Sequence, residues 1–596
     1  MTQEVTAGLS QPEYRIELRE NVEIPMRDGT ILRADVYLPA GQGPAPAIVE
    51  RTPYSKKSSS EVSLGAPEYF ASRGYAVVIQ DVRGRYTSNG EFYPFHDDGW
   101  GLNRDGYDTI EWIAAQQWCS GKVGTIGGSY SGMTQYRMAP TRPPRLAAQF
   151  VRESSSDYHE EWVYRGGALE LGFSLNWAVA QTLSNLDHLT RPEDREQKRG
   201  ALKKVVEEIG TWFRHRPLTP LPPITGLSDW YNDWLDHPDD GPYWWQWNIA
   251  QHHQEIDVPI YHLGGWFDCF LRGTLENYSG IRRHGRSDKS RNSQKLIVGP
   301  WIHGPGNINV SKVGEFDFGA DAALVLNDLR LAWFDHWLKG KPTGIMEQPP
   351  VRVFTMGANR WQSLADWPPP DARPTVFFLH AGGEDSLPPR DTADSLNRGT
   401  LSLHVPDGAE PADSFVSDPD DPVPTRGGGW LGSPNGPYDQ RPIEGRCLTF
   451  TSRPLQEDLE LTGPVTATLY VMSTAPDTDW VVRLCDVAPD GVSRLVADGV
   501  LRSRYRDSRQ HPVLLHPNEV TKVKVDLWAT SNLFLAGHRL RVSVNSSCFP
   551  RWDVNLQTGG PFGREVAGQV ALNTLFHDSA RPSHLSLSIR GGEPRF

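Results

Sequence analysis

Residues 123–132 read Val-Gly-Thr-Ile-Gly-Gly-Ser-Tyr-Ser-Gly and predict the centre of the fold. A short apolar strand, 123–126, leads into a turn of small residues with Ser129 at its apex, and a helical stretch, 133–139, follows. This order is the context of a G-x-S-x-G nucleophile, whose tight turn requires small residues two before and two after the serine. Gly127 tolerates the backbone angles of such a turn. The alternative is a glycine-rich turn that carries an ordinary surface serine.

The predicted secondary structure around this turn divides the chain into four segments. Alternating helices and strands over 1–149, and again over 246–350, are typical of a parallel α/β sheet. Residues 150–245 are helical and rich in tryptophan, which predicts a helical cap inserted into the core. Short alternating segments separated by Pro, Gly and Asp turns predict a β-sandwich over 351–596. The predicted fold class is therefore α/β, with an inserted cap and a C-terminal β-sandwich.

Two further polar side chains follow strands of this predicted core. Asp268 follows the strand 258–263, and His303 follows the strand 295–298. With Ser129 they come in the order nucleophile, acid, base, each just past the carboxyl end of a strand, as in α/β-hydrolases. Because carboxyl ends of parallel strands meet at one sheet edge, the spacing predicts a serine–histidine–aspartate triad.

Two groups are candidate donors to an oxyanion. The amide of Tyr130 begins the helix after the serine, where backbone N–H groups favour negative charge. Tyr54 lies in a loop, 51–55, that leaves another predicted strand, and its hydroxyl could be the second donor. An ordinary surface tyrosine is the alternative at this position.

The composition excludes several classes of protein. With 38% hydrophobic and 22% charged residues over 596 positions, the chain has the values of a soluble protein of two or three domains. It shows no apolar run that could cross a bilayer and no secretory signal, so neither a membrane nor secretion is expected. A formal charge of −13 disfavours nucleic acid as a partner. Five scattered cysteines without metal-type spacing indicate reduced thiols and a cytoplasmic location.

Several short motifs resemble those of the cocaine-esterase and X-prolyl dipeptidyl-peptidase group, the CocE/NonD hydrolases. The resemblance extends over nearly the whole chain, and so many separate segments in one order argue against chance. The matching segments are 51–54, 81–85, 88–92, 127–132, 265–268, 299–303, 334–340, 436–441 and 475–479.

This resemblance implies an α/β-hydrolase core, an inserted helical cap and a C-terminal jelly-roll. It implies that Ser129 is the nucleophile, Asp268 the acid and His303 the base, and that Tyr54 donates to the oxyanion beside the Tyr130 amide. No metal and no organic cofactor is implied. Pocket walls are expected in the cap, after the acid and in a long jelly-roll loop: Trp162, Trp177, Phe270, Trp430 and Leu431.

One departure from the group bears on the substrate. The α-amino-acid ester hydrolases of this group carry acidic residues shortly after the catalytic aspartate, and these bind the substrate ammonium. Here Cys269, Phe270 and Leu271 stand at those positions. A buried ammonium without a counter-charge is costly, so amino-acid esters and X-Pro dipeptides are disfavoured. The acids Glu153, Asp157 and Glu161 of the predicted cap could still supply the charge.

The expected function is that of a serine hydrolase that cleaves small carboxylic esters, or amides, through an acyl-enzyme. An amidase, acylase, peptidase or acyltransferase would use the same triad, because the acyl-enzyme does not dictate its acceptor. A different class of protein is also open: a carbohydrate-binding jelly-roll on an inactive scaffold. The sequence leaves the oligomeric state, including a homo-oligomer, undecided.

Overall fold

The computed structural model describes residues 8–382 and 395–596. Its central element is a ten-stranded sheet whose middle strands run parallel. Several middle strands are buried at every position, which requires helices on both faces. In spatial order the strands are Ile16–Pro25, Ile31–Pro39, Ala76–Asp81, Ala45–Thr52, Cys119–Thr125, Leu146–Arg152, Ile260–Phe267, Gln294–Ile302, Val351–Thr355 and Arg360–Leu364.

Helices cover this sheet on both sides and connect its parallel strands. Helix Leu326–Lys339 packs closely on strand Cys119–Thr125. A Cβ at Gly124 would lie 2.7 Å from the Phe334 ring of this helix, which explains the glycine within the strand. Helix Leu271–His284 has an apolar stripe, including Leu275 and Tyr278, that faces the sheet. The main helices of the core are Ala66–Ala71, Asp105–Ala114, Tyr130–Met138, Leu271–His284 and Leu326–Lys339.

The cap lies between strands Leu146–Arg152 and Ile260–Phe267. Its interior is aromatic, with Trp234, Trp244 and Trp247 fully buried, and it is continuous with Tyr130 of the core. The cap therefore packs directly on the end of the sheet where the nucleophile turn lies. It consists of a π-helical turn, Tyr158–Val163, the helices Leu171–Ser184, Leu186–Leu189, Pro192–Glu207, Ile209–Phe213, Trp230–Asp236 and Pro242–Trp245, and a 3-10 segment, Ile249–Glu255.

The C-terminal domain is a β-sandwich. Along Leu459–Ser473 buried and partly exposed residues alternate, as expected for a strand with one face on a core. Its main strands are Arg373–His380, Gly399–Ser402, Asp413–Ser417, Leu448–Ser452, Leu459–Ser473, Asp479–Val487, Ser493–Arg502, Thr521–Phe534, Arg539–Asn545, Ala571–Phe576 and His584–Arg590. Within the described ranges no helix is both long and apolar enough to cross a membrane.

The structure corrects the start of this domain. The pattern of short alternating segments predicts that the β-sandwich begins at residue 351. However, Val351–Thr355 pairs in parallel with Gln294–Ile302, and Arg360–Leu364 pairs with Val351–Thr355. Both strands extend the core sheet. A short alternating segment fits either sheet, and only long-range pairing decides which one it joins.

Candidate active site

The turn after strand Cys119–Thr125 has the backbone of a nucleophile elbow. Ser129 has φ 57° and ψ −125°, a conformation that a non-glycine residue holds only under strain. A Cβ at Gly127 would lie 2.5 Å from the Ser131 Cβ, so this position requires glycine. The helix Tyr130–Met138 begins directly after the serine. The tight turn expected from the sequence is therefore present, with Ser129 at its apex.

Asp268 and His303 form a hydrogen-bonded pair at the same sheet edge. The His303 Nδ1 to Asp268 Oδ1 distance is 2.7 Å, and both side chains are buried. Because Nδ1–H donates to the carboxylate, Nε2 is left as the proton acceptor. Burial lowers the pKa of the His303 imidazole, but the nearby negative charges, Asp268 first, outweigh burial and raise that pKa above its usual value.

The elbow and the Asp268–His303 pair are separated by one strand, Leu146–Arg152. The Ser129 N–H points at the carbonyl oxygens of Arg152 and Glu153, each 3.1 Å away, which ties the elbow to that strand. Among the described residues no hydrogen bond joins Ser129 Oγ to His303 Nε2. In unliganded hydrolases this contact is often loose and tightens when substrate binds, so the arrangement suits nucleophile and base.

The two proposed oxyanion donors both lie close to Ser129. The Tyr130 amide is the first of the helix, where the dipole and unpaired N–H groups favour an anion. The Tyr54 hydroxyl accepts a hydrogen bond of 3.0 Å from Trp177 Nε1, so its own proton is free to donate. Burial raises the pKa of the Tyr54 phenol, against smaller opposing effects of Trp177 and Ser129, so the phenol stays protonated.

Three of the five expected wall residues meet at this site. Trp162 stacks on Phe270 with ring centroids 4.9 Å apart, and its edge meets Trp177 at 5.5 Å. Phe270 in turn presents its edge to the His303 imidazole at 5.2 Å. A buried cluster of aromatic rings therefore packs against the imidazole.

The other two expected wall residues lie in a loop that borders the same cluster, since a Cβ at Gly429 would lie 3.1 Å from the Asp268 carbonyl oxygen. Trp430 is buried against the start of helix Leu171–Ser184, where a Cβ at Gly172 would lie 2.5 Å from its ring. Its indole N–H donates to the Pro434 carbonyl at 2.6 Å. Leu431 is partly buried against the aromatic interior of the cap. The loop that carries them thus packs on the cap, and the described ring contacts do not join Trp430 to Trp162, Trp177 or Phe270.

Comparison with known proteins identifies the family. Residues 28–305 match the family described as X-Pro dipeptidyl-peptidase (S15 family), and residues 343–586 match its C-terminal non-catalytic domain. The cocaine esterase of Rhodococcus sp. (strain MB1 Bresler) is 36% identical over 584 residues, 96% of this chain and 98% of that protein. The chain belongs to the CocE/NonD hydrolases of the S15 family. It is accordingly a serine hydrolase with an α/β-hydrolase fold.

Two solved structures resemble this CocE/NonD hydrolase over almost its full length. An α-amino acid ester hydrolase is 27% identical with a TM-score of 0.77 and covers 98% of both chains. An aminopeptidase from a marine sediment archaeon, Thaumarchaeota archaeon, is 25% identical with a TM-score of 0.77 and covers 97% of both chains. The core, cap and C-terminal domain are therefore shared with hydrolases of different named substrates.

The acidic residues that could have supplied an ammonium site in this CocE/NonD hydrolase are engaged elsewhere. Asp157 caps the π-helical turn and lies 3.3 Å from Arg509. Glu161 lies 3.6 Å from Arg272 and accepts the Ser156 N–H. Glu153 contacts the Arg152 guanidinium. Each of the three carboxylates therefore already faces a cationic side chain of the protein.

One group of residues in the described ranges has the geometry to hold a metal ion. Possible ligand atoms of Asp268, Cys269 and His303 lie within 4.8 Å of one another. However, His303 Nδ1 is used by Asp268, and burial raises the pKa of the Cys269 thiol well above its ordinary value. Metals bind the thiolate, so the group suits an acid–base pair better than a metal site.

Several supporting residues are found only in the structure. Arg85 is buried and donates to the Pro53 and Gln181 carbonyl oxygens, both at 3.0 Å, which ties the Tyr54 loop to helix Leu171–Ser184. Glu50 accepts the Ser131 hydroxyl at 3.0 Å beneath the elbow. The only signal for Arg85 is its place in the 81–85 motif, and nothing in the sequence pairs Glu50 with the elbow.

We expect Tyr54→Phe to lower kcat by about 10²- to 10³-fold, the usual effect of losing one oxyanion donor. Trp177→Phe removes the bond that orients this hydroxyl together with part of a packed indole, and the lost bond alone should cost about fivefold, since a neutral hydrogen bond contributes about 1 kcal/mol. The measurement is kcat with saturating p-nitrophenyl acetate. In the double variant the Trp177 change should add little to the Tyr54 effect. A Tyr54→Phe protein as fast as wild type would remove the hydroxyl from the oxyanion site.

Proposed function

We propose that this CocE/NonD hydrolase cleaves carboxylic esters through an acyl-enzyme on Ser129. The observation that carries the proposal is the 2.7 Å bond between His303 and Asp268 at the sheet edge that also presents the strained elbow. An imidazole in this tautomer can accept the hydroxyl proton at Nε2.

The proposed reaction has two halves. His303 takes the Ser129 proton as the hydroxyl attacks the ester carbonyl, and Tyr130 N–H and Tyr54 O–H bind the oxyanion. The imidazolium then protonates the departing alcohol, which leaves an acyl-enzyme. In the second half His303 takes a proton from water as the water oxygen attacks the acyl group. The imidazolium then returns that proton to Ser129 Oγ as the carboxylic acid leaves.

The proposed substrates are uncharged esters with an aromatic or bulky apolar part. The walls contributed by Trp162, Trp177 and Phe270 support this, because aromatic rings gain from burying apolar ligand surface. The pairing of Asp157 and Glu161 with arginines also supports it, since a substrate ammonium would find no unengaged carboxylate in those two. A cocaine esterase stands among the relatives, which supports an ester as the bond that is cleaved.

Amide or peptide cleavage is a second candidate. It is favoured by the match of both domains to the X-Pro dipeptidyl-peptidase family and by the aminopeptidase among the similar structures. The same acyl-enzyme would form from an amide. The substrate of an aminopeptidase, however, carries an ammonium group that needs a counter-charge when it is buried. Residues 269–271, directly after Asp268, include no acid that could supply this charge.

A fluorophosphonate probe and a substrate panel test these proposals. We expect labelling on the peptide that contains Ser129, identified by mass spectrometry, and none on the Ser129→Ala protein. Hydrolysis of p-nitrophenyl benzoate should exceed that of alanine p-nitroanilide and of alanine methyl ester. Unlabelled, folded protein would instead favour the non-catalytic scaffold, and faster cleavage of the anilide would favour the peptidase.

We also propose a cytoplasmic location. All five cysteines are buried and unpaired, the state that a reducing compartment maintains. Cell fractionation with the untagged chain tests this, and recovery from the culture medium would contradict it.

A further inference from the structure

Glu153 occupies a central position between the nucleophile and the base. It follows strand Leu146–Arg152, is fully buried, and has φ 48°, a strained value for a non-glycine residue. Its N–H donates to the Leu263 carbonyl at 2.7 Å, and its carbonyl accepts the Ser129 N–H at 3.1 Å. The backbone of Glu153 is thus held by the elbow on one side and by the strand that leads to Asp268 on the other.

The side chain of Glu153 points at the loop that carries His303. Oε2 accepts the Gly304 N–H at 2.9 Å and lies 4.0 Å from His303 Nδ1. Asp268 Oδ1 is 2.7 Å from the same nitrogen. Two carboxylates therefore face one edge of the imidazole, and the nearer makes the hydrogen bond.

The charges around this pair are few and buried. Arg152 contacts Glu153 directly and also lies 3.8 Å from Glu61, so its positive charge is shared between two carboxylates. The Cys269 thiol beside Asp268 is kept neutral because burial raises its pKa. In such a low-dielectric site, charges 4 Å apart interact strongly. Burial raises the pKa of the Glu153 carboxyl, while Arg152, His303 and the Gly304 N–H favour its charged form. The carboxyl groups that face His303 are then Asp268 and Glu153, opposed in part by Arg152.

We propose that Glu153 is a positioning residue for the proposed base. It anchors the His303 loop through Gly304 and supplies a second negative charge that stabilises the imidazolium formed when Ser129 is acylated. This inference rests on the proposed function. No proton moves to Glu153: Nε2 receives the Ser129 proton, Nδ1–H stays on Asp268, and the carboxylate acts only through its charge and its hydrogen bond.

The sign of the expected effect follows from the charges. A carboxylate next to an imidazole favours the protonated ring, so removing Glu153's charge lowers the pKa of His303. His303 must be neutral to act as the base, so kcat/KM rises with pH as the imidazole loses its proton. This rising part of the pH profile, the acid limb, reports the pKa of His303 in the free enzyme. Loss of the charge therefore moves the acid limb to lower pH.

Glu153→Gln is the informative variant, because a glutamine oxygen can still accept the Gly304 N–H while the charge is lost. We expect the acid limb of p-nitrophenyl ester hydrolysis to shift down by about one pH unit and kcat to fall about tenfold. The matched control is Glu160→Gln. Glu160 likewise accepts a backbone N–H, from Gly166 at 2.9 Å, and faces an arginine, Arg509, at 3.4 Å, but belongs to the cap. The acid limb of the Glu160→Gln variant should lie at the same pH as that of the wild-type protein.

A double variant tests whether both carboxylates act on the same group. In an Asp268→Asn background Glu153 is the remaining negative charge at His303, so adding Glu153→Gln should reduce kcat/KM further than the same change does in wild type. Equal effects in both backgrounds, or an unmoved acid limb in Glu153→Gln, would overturn the proposal. If Glu153→Gln does not fold, Glu153→Asp is the second variant, because it moves the carboxylate away from His303 by one methylene group. Its acid limb should shift to lower pH by less than that of Glu153→Gln. An acid limb of Glu153→Asp at the wild-type pH would also overturn the proposal.

The failure of this inference is distinguishable from failure of the proposed function. If the wild-type protein neither hydrolyses esters nor is labelled by the fluorophosphonate on Ser129, the proposed function is wrong. If the wild-type protein is active and labelled, and the pH profile of Glu153→Gln is the same as that of wild type, only the proposed role of Glu153 is wrong.

Discussion

Ser129→Ala is expected to lower kcat for p-nitrophenyl ester hydrolysis by about 10⁶-fold, the scale seen when a triad nucleophile is removed. Alanine retains the small size that the elbow needs but leaves no atom to form the acyl-enzyme. Because Tyr54, Tyr130 and the aromatic walls remain, substrate binding should change little. The measurement combines steady-state kinetics with substrate binding by isothermal titration calorimetry.

Ser414→Ala is a suitable control for the nucleophile variant. Ser414 lies in the C-terminal domain, where its hydroxyl bonds Thr574 at 2.8 Å, far in sequence from the elbow. That variant should keep wild-type kcat and fluorophosphonate labelling. Turnover by Ser129→Ala at more than a trace level, in protein free of contaminating esterase, would remove Ser129 from the mechanism.

Asp268→Asn is expected to lower kcat by about 10⁴-fold, the typical loss when the acid of such a triad becomes an amide. The amide can donate to Nδ1 and so favours the tautomer whose Nε2 carries a proton and cannot act as base. The Asp268 charge also raises the pKa of His303, so the residual acid limb should move to lower pH. The pH dependence of kcat/KM measures both effects.

Asp317→Asn serves as the control for the acid. Asp317 is exposed and accepts the Gly319 N–H at 2.9 Å, so its loss should leave the pH profile unchanged. Asp268→Asn with wild-type kcat, or with an acid limb at higher pH, would contradict the role of Asp268 as the partner of His303.

The positions of the proposed triad follow from local sequence, because polar side chains there directly follow predicted strands. Small residues around Ser129 permit a turn that larger side chains would block, as the close contact expected at Gly127 shows. Asp268 and His303 each follow a short buried apolar run, which is typical of a strand between two layers of helices. Parallel strands bring their carboxyl ends together, so the juxtaposition of Asp268 and His303 was predictable without an atomic structure.

The residues that support the site were not predictable in this way. Arg85, Glu50 and Glu153 act through partners tens or hundreds of positions away, such as Gln181, Ser131 and Gly304. A charged side chain in isolation reads as a surface residue, and only the fold shows that these three are buried. The pairing of Asp157 with Arg509 likewise joins the cap to the C-terminal domain.

By itself the sequence determined the α/β core, its cap and β-sandwich, the elbow, and the order of the proposed nucleophile, acid and base, because periodicity and turn residues act over a few positions. The tertiary structure decided which sheet Val351–Thr355 joins, that Trp430 packs on Gly172, and that a second carboxylate faces His303. These features depend on distances between residues remote in the chain, and such distances are set only when the whole core closes around them.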